Sequence, residues 1–232
     1  MPEGGGYHLD VAFVLVFLIV PVVLGFWAQH RVKSTFAKNL QVGVANGMTG
    51  AQVARRILDA NGLNEIPVEE TQGSLSDHYD PRSRSVHLSP DVFRGVSVAS
   101  TSVGAHEVGH AIQHAQAYAF FRFRSALFPA VQFASNIWVL LLFGGLILGA
   151  LQLAWVGVLL FAVVVLFQFA TLPVEFDASR RAKKQLHDLG LVASSEGDGV
   201  QATLNAAAWT YVVAALIAVT QLLYFLSLLN NR

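Results

Sequence analysis

Four stretches of the chain are apolar over about the length that a bilayer requires. A helix needs about 20 mostly apolar residues to cross the hydrocarbon core. The pattern predicts spans over residues 9–27, 131–151, 153–172 and 206–229. The second and third are separated only near Gln152, which predicts a tight helical hairpin. The first has no basic segment before it and no clear small-residue cleavage site, so we expect it to be retained rather than removed as a signal peptide.

Composition agrees with a membrane protein. The 232 residues are 54% hydrophobic and 13% charged, and the mean hydropathy is +0.51, which is more apolar than is usual for a soluble domain of this size. The formal net charge is zero, so nothing favours binding to nucleic acid. The chain has no cysteine, which excludes disulfides, thiolate metal ligands and a cysteine nucleophile.

The basic residues predict how the spans are oriented. Every Lys and Arg except Arg232 lies within residues 28–130 or 173–205, the two polar segments beside the predicted spans. Short basic segments remain on the cytoplasmic side. We therefore expect four spans in a bacterial cytoplasmic (inner) membrane, with both polar segments in the cytoplasm and both termini outside.

The first polar segment is long enough to fold. "TGAQVARRILDANGL" predicts a helix that begins with a capping box of Thr49 and Gln52. "IPVEE" and "SLSDHYDPRSRSVHLSPDVF" predict a few short antiparallel strands with a turn at "DPRS". A second helix is predicted from Val98 to about Tyr118, extending toward Phe123. The segment is thus predicted to be a small α+β domain.

The second of these helices contains "GAHEVGHAIQHA", which carries the candidate chemistry. Residues four apart lie on one face of a helix, so His106 and His110 can direct ring nitrogens to one point. Glu107 lies just off that face, where it can reach a water molecule without binding the metal. This His-Glu-x-x-His spacing is typical of zinc hydrolases; the alternative is a polar helix with solvated histidines. Gly109 in mid-helix costs about 1 kcal/mol relative to alanine, which indicates close packing there.

A catalytic zinc site normally has three protein ligands, and Glu175 is the candidate for the third. It lies in "LPVEFDASRRAKKQL", directly after the third span and on the same side of the membrane as the histidines. Pro173 predicts that a helix restarts there, and the helix face around Glu175 carries only small side chains. The alternative is a solvated acid at the start of a helix.

Other acids and histidines are weaker candidates for the third metal ligand. His114 lies two turns from His106, roughly 12 Å along a helix that rises 1.5 Å per residue. Asp177 points about 200° away from Glu175 around the helix and is expected to pair with Arg180, Arg181 or solvent. The remaining candidates lie in a later polar segment: His187, Glu196 and Asp198.

Four motifs resemble one family: "DHYDP", "VHLS", "AHEVGHAIQ" and "LPVEFDASRRA", in this order and with spans around them, are similar to the YugP-like membrane zinc metallopeptidases. More distantly, the chain resembles the HtpX and CAAX-prenyl-protease type of gluzincin. The resemblance implies a zincin-like (gluzincin) fold, one Zn²⁺ held by His106, His110 and Glu175, and peptide or membrane-protein substrates. In the distant relatives an aspartate orients one ligand histidine; Ser179 stands at that position, where it offers a hydrogen bond but no charge.

The residues predict a hydrolytic mechanism. Glu107 would act as general base, taking a proton from the water that Zn²⁺ activates and passing it to the leaving amine. His78 and Tyr79 are candidate donors to the oxyanion, or they hold the turn. The strand "SVHLS" is predicted to pair with an extended substrate, with His87 an ordinary strand residue.

Three other functions remain possible from the residues. A site-2-type intramembrane protease would carry the motif within an apolar span, and a di-iron oxidase would carry several histidine clusters. A non-catalytic zinc-binding scaffold would keep the site without cleaving substrates.

The preferred interpretation is an α-helical integral membrane protein with four transmembrane helices. Its small cytoplasmic α+β metallopeptidase domain covers residues 28–128, and residues 173–205 supply a helix, a loop and the third ligand.

Overall fold

The computed structural model describes residue 11 and residues 15–231, apart from the side chain of residue 18. A π-helical turn, Leu15–Ile19, leads into helix α1, Val20–Leu40. The first predicted span, residues 9–27, therefore lies partly outside the described residues. Helix α1 continues past Trp27 through the basic residues that follow the predicted span.

The remaining elements form a small domain and three long helices. They are α2 (Gly50–Ala60), β1 (Val68–Glu70), β2 (His78–Asp80), β3 (Ser85–Leu88), α3 (Pro90–Phe93), α4 (Val98–Ala115), α5 (Ala119–Ile147), α6 (Leu151–Asp188), a 3₁₀ turn (Ser194–Glu196) and α7 (Gly197–Asn230). Within the described part of the chain, four helical stretches are long and apolar enough to cross a membrane: Leu15–Leu40, Ala119–Ile147, Leu151–Asp188 and Ser194–Asn230. The number agrees with the sequence prediction, and the described residues are mostly helical with one small sheet.

Helix α2 forms as its sequence predicts. The Thr49 hydroxyl accepts a hydrogen bond from the Gln52 backbone, and the Gln52 side chain accepts one from the Thr49 backbone. This capping box satisfies two donors that the first turn of a helix otherwise leaves unpaired. Val53, Ile57 and Leu58 are fully buried in the core of the small domain. The local sequence thus determines both where α2 begins and which face it buries.

The sheet has the strand order β1-β3-β2. β2 pairs with β3 in antiparallel orientation, as predicted, but β1 pairs with β3 in parallel orientation. The chain reverses direction between β1 and β2 and again between β2 and β3, so β3 runs the same way as β1. Because β3 is paired on both edges, the prediction that "SVHLS" pairs with a substrate is wrong. The two edge strands of the sheet are β1 and β2.

The prediction that the motif helix continues to Tyr118 and Phe123 is also wrong. Helix α4 ends at Ala115. Ala117 has a left-handed φ of 53°, and the Tyr118 backbone donates to the Gln113 carbonyl at 2.9 Å. A residue in this conformation is a common way to end a helix. The turn redirects the chain, and helix α5 then begins at Ala119.

The predicted helix restart at Pro173 is wrong, because α6 is one helix through this proline. Proline removes one backbone donor from a helix interior. The residues around it, Thr171, Val174 and Glu175, are nevertheless buried against neighbouring helices. Packing therefore compensates for the lost hydrogen bond, and Glu175 is carried on the same rigid helix as the third predicted span.

The connections on either side of α6 are short. Helices α5 and α6 are joined by residues 148–150, with Gly149 at a φ of 68°, so the predicted hairpin is confirmed with its turn just before Gln152. Helix α7 begins at Gly197, well before the predicted span at 206. The second polar segment is therefore mostly the ends of two long helices.

Helices α4 and α6 approach closely at Gly109, as its mid-helix glycine predicts. A Cβ atom at this position would lie 2.6 Å from the Ala178 carbonyl oxygen and 3.1 Å from the Ala178 Cα. Contacts of this length to backbone require one helix to move. Gly109 and the small residues on α6 thus set the distance between the two helices.

We expect Gly109→Ala to destabilise the protein by about 1–3 kcal/mol, because the clash with α6 exceeds the gain in helix propensity. Thermal unfolding in one detergent would measure the loss. Gly144→Ala on α5 is the matched control, since a Cβ there meets no atom within 4 Å. Equal stability of Gly109→Ala and the wild type would contradict the close packing.

Candidate metal centre

The structure brings His106 and His110 of α4 together with Glu175 of α6. His106 Nε2 lies 3.2 Å and His110 Nε2 lies 3.6 Å from the same oxygen, Glu175 Oε2. One donor atom from each residue lies within 4.8 Å of the others. Two imidazole nitrogens and a carboxylate oxygen form a donor set that suits zinc, with a coordination position left for water. The three predicted ligands thus converge as a metal site requires.

Glu107 lies beside this cluster and is buried. Burial raises the pKa of its carboxyl group to about 7; the neighbouring His106 opposes this shift and Glu175 adds to it. A pKa near 7 suits a group that takes and returns a proton at neutral pH. Glu107 also lines a cavity of about 280 Å³ together with His106 and Glu175.

The rest of this cavity is formed mainly by apolar side chains from α1, α4 and α7. These are Val32, Phe36, Val103, Leu204 and Ala207. Four polar side chains outside the cluster also line it: Asp77, Thr203, Thr210 and Tyr211. Asp77 precedes β2, and its carboxylate accepts hydrogen bonds from the backbone and hydroxyl of Ser89. The lining of the cavity therefore combines the candidate metal-binding cluster with apolar side chains of the long helices.

Two of the three predicted ligands have polar partners from another element. Ser179 Oγ lies 3.2 Å from His106 Nδ1, which is the contact that the resemblance implied for this serine. Arg124 Nη1 lies 3.1 Å from Glu175 Oε1, and its guanidinium group lies over the Phe121 ring. Sequence reasoning used Arg124 only to orient the spans. Its distance from Glu175 along the chain left no local signal for this contact.

Sequence reasoning also missed Gln113. Its Oε1 lies 3.0 Å from His110 Nδ1, and its Nε2 donates to Val174 O and to Asp177 Oδ2. Its position one turn after His110 could have revealed it, because residues three apart on a helix are neighbours. Asp177 pairs with Arg180 and Arg181 as predicted, but it is buried rather than solvated.

The candidate oxyanion donors are engaged elsewhere. His78 Nδ1 lies 2.8 Å from Ser76 O, and the His78 ring stacks on His87. The Tyr79 hydroxyl lies 2.9 Å from His114 Nδ1. Tyr211 rather than either residue presents its side chain to the cavity.

The other metal-ligand candidates lie apart from the cluster. His114 is paired with Tyr79 as just described, and His187 is exposed beside Asp188. The Glu196 carboxylate accepts hydrogen bonds from the Ala45 and Ala193 backbones. Asp198 is exposed at the start of α7. Each of these side chains therefore has a surface or structural setting.

Comparison with known proteins decides the family. The family model described as "Putative neutral zinc metallopeptidase" matches residues 14–230, nearly the whole chain. The chain belongs to this family. The chain is similar to the "Putative membrane protease YugP" of Bacillus subtilis (strain 168). The two are 48% identical over 221 residues, which cover 94% of the chain and 98% of this relative. No solved structure matches the chain. The four apolar helices and the similarity to this membrane protease together indicate that the chain is a multi-pass membrane protein.

Proposed function

We propose that the protein is a membrane-embedded zinc metallopeptidase that hydrolyses peptide bonds at the cytoplasmic membrane surface. The observation that carries the proposal is the convergence of His106, His110 and Glu175 on one point, with Glu107 in the same cavity. Membership of a family of zinc metallopeptidases supports the choice of metal and reaction. In this proposal Zn²⁺ is held by the two imidazoles and the Glu175 carboxylate.

Each side chain of the cluster has a separate task. A bound Zn²⁺ would act as a Lewis acid and make a water molecule more acidic. Glu107 accepts the proton from the attacking water and delivers it to the amine that leaves. Arg124 and Ser179 hold Glu175 and His106 in position through the contacts described above. The buried setting of Glu107 supports a role in proton transfer, since a merely solvated acid would be exposed.

The lining of the cavity favours the binding of a substrate with apolar side chains. Its wall combines Val32 and Phe36 of α1 with Leu204 of α7, and these helices continue into the predicted spans. A peptide or membrane protein held in extended form could pair with the edge strand β2. We propose that an apolar side chain next to the cleaved bond occupies this cavity.

The alternatives have less support. A di-iron oxidase needs more ligands, and the described residues contain one cluster of three metal-binding side chains. A site-2-type intramembrane protease would place the motif helix in lipid, whereas α4 packs on α2 and shares its core. A non-catalytic zinc scaffold would use the same three ligands, but it would not require a buried acid beside them.

The test in cells compares membrane proteomes of strains that carry the wild type or Glu107→Gln. We expect substrates to accumulate, and their fragments to disappear, in the variant strain. Identical proteomes under conditions where both proteins are produced would favour the scaffold.

The proposed orientation places both termini outside the cytoplasm, because the basic residues concentrate in the polar segments. Reporters fused at Met1 and at Arg232 should both read as extracytoplasmic. A reporter inserted after Gly190, in the loop between α6 and α7, should read as cytoplasmic and serves as the control. A cytoplasmic signal from either terminus would contradict the four-span topology.

A further inference from the structure

A buried chain of hydrogen bonds leads from His110 to Asp177 through Gln113. Gln113 is 0% exposed and Asp177 is 4% exposed. We infer that Gln113 and Asp177 form a positioning relay that orients His110 and sets which of its ring nitrogens carries the proton. The inference rests on the proposed metal site, because it concerns how one of that site's ligands is prepared.

The orientation of the Gln113 amide follows from its partners. The nitrogen Nε2 lies 2.8 Å from the Val174 carbonyl oxygen and 2.9 Å from Asp177 Oδ2. A carbonyl and a carboxylate only accept hydrogen bonds, so the group facing them must be the NH₂. The amide oxygen Oε1 therefore faces His110 Nδ1, at 3.0 Å.

The orientation of the amide determines the protonation of His110. Since Oε1 can only accept, Nδ1 must carry the hydrogen. The other nitrogen, Nε2, is the one that points toward Glu175 Oε2, and in the neutral ring it keeps its lone pair for a metal. A second partner that fixes the tautomer and ring orientation is a usual feature of histidine ligands.

Asp177 holds the amide in this orientation. Its carboxylate is paired with Arg180 and Arg181 of the same helix, which favours the ionised form that accepts from Gln113. The relay also joins the two ligand-bearing helices, because Gln113 lies on α4 while Val174 and Asp177 lie on α6. It therefore positions His110 relative to the helix that carries Glu175.

The hydrogen-bond partner of His106 does not fix its tautomer in this way. His106 Nδ1 faces the Ser179 hydroxyl, and a hydroxyl can either donate or accept. Ser179 therefore leaves the tautomer of His106 open, whereas Gln113 determines that of His110. We expect substitutions in the relay to affect metal binding more than Ser179→Ala does.

The test measures zinc affinity of the purified full-length protein against a competing chelator. Gln113→Met keeps the volume of the side chain and removes both hydrogen-bonding ends. We expect it to weaken zinc binding roughly 10- to 100-fold, the usual cost of losing such a partner. The matched control is Gln185→Met on α6, whose side chain bonds Asn61 instead, and which should bind zinc as the wild type does.

A spectroscopic measurement separates positioning from a loss of structure. In zinc-loaded protein labelled with ¹⁵N-histidine, His110 of the wild type should show a protonated Nδ1 and a metal-bound Nε2. Gln113→Met should shift these signals while its thermal unfolding still shows a folded protein. If Gln113→Met does not fold, Asp177→Asn decides, because it keeps the shape and removes the charge; we expect a several-fold loss of zinc affinity.

The outcomes distinguish this inference from the proposed function. Folded Gln113→Met, or Asp177→Asn in its place, with wild-type zinc affinity and wild-type histidine signals would overturn the relay. A wild type that binds no zinc would overturn both the relay and the metallopeptidase. Zinc binding that depends on Gln113, in a protein that cleaves nothing, would support the relay and contradict hydrolysis alone.

Discussion

Glu107→Gln is expected to abolish peptide hydrolysis while zinc binding stays close to that of the wild type. Glutamine has nearly the same shape and can fill the same buried position, but it cannot accept a proton. General-base catalysis contributes about 10²- to 10⁴-fold to a rate, so the loss should be at least of that size. Cleavage of a peptide by the purified protein, with zinc content measured on the same sample, would test both parts.

The control for this substitution is Glu65→Gln, which changes an exposed acid that pairs with Arg84. It should leave both activity and zinc content unchanged. Loss of zinc from Glu107→Gln would mean that Glu107 is a ligand, and the division of roles among the four side chains would be wrong. Retained hydrolysis would show that another group takes the proton.

Glu175→Ala is expected to lower zinc occupancy far more than Asp177→Ala or His114→Ala. Glu175 offers the oxygen that lies nearest both ring nitrogens, so its removal takes away one of three donor atoms. Asp177 acts on the site only through Gln113, and His114 bonds Tyr79. The order of zinc loss should therefore be Glu175→Ala, then Asp177→Ala, then His114→Ala.

The comparison needs a competing chelator, because excess zinc would fill weakened sites. Removing Glu175 also leaves Arg124 without its buried partner, and an unpaired charge of this kind destabilises a protein. Glu175→Gln, which keeps the volume and leaves an oxygen for Arg124, separates the two effects: zinc binding should fall while thermal stability changes less. Wild-type zinc affinity in Glu175→Ala together with a loss in His114→Ala would refute the choice of third ligand.

Local patterns predicted the parts of the fold that depend on neighbours in sequence. Hydrophobic runs indicated four helices because a helix that meets lipid must be apolar over its length. The capping box at Thr49 predicted where α2 begins, because its hydrogen bonds close within one turn. Two predictions failed for the opposite reason. The left-handed Ala117 and the unbroken helix at Pro173 depend on packing between helices, which local propensity does not contain.

By itself, the sequence determined that two histidines and an acid share one helix, because the spacing of His106, Glu107 and His110 combines directly with helical geometry. It also indicated Glu175, through topology and the small residues around it. Only the tertiary structure decided which side chains support these groups. Arg124 and Asp177 reach the cluster through contacts between α4, α5 and α6. Such contacts depend on the distance and rotation between packed helices, and no periodicity along a single helix encodes them.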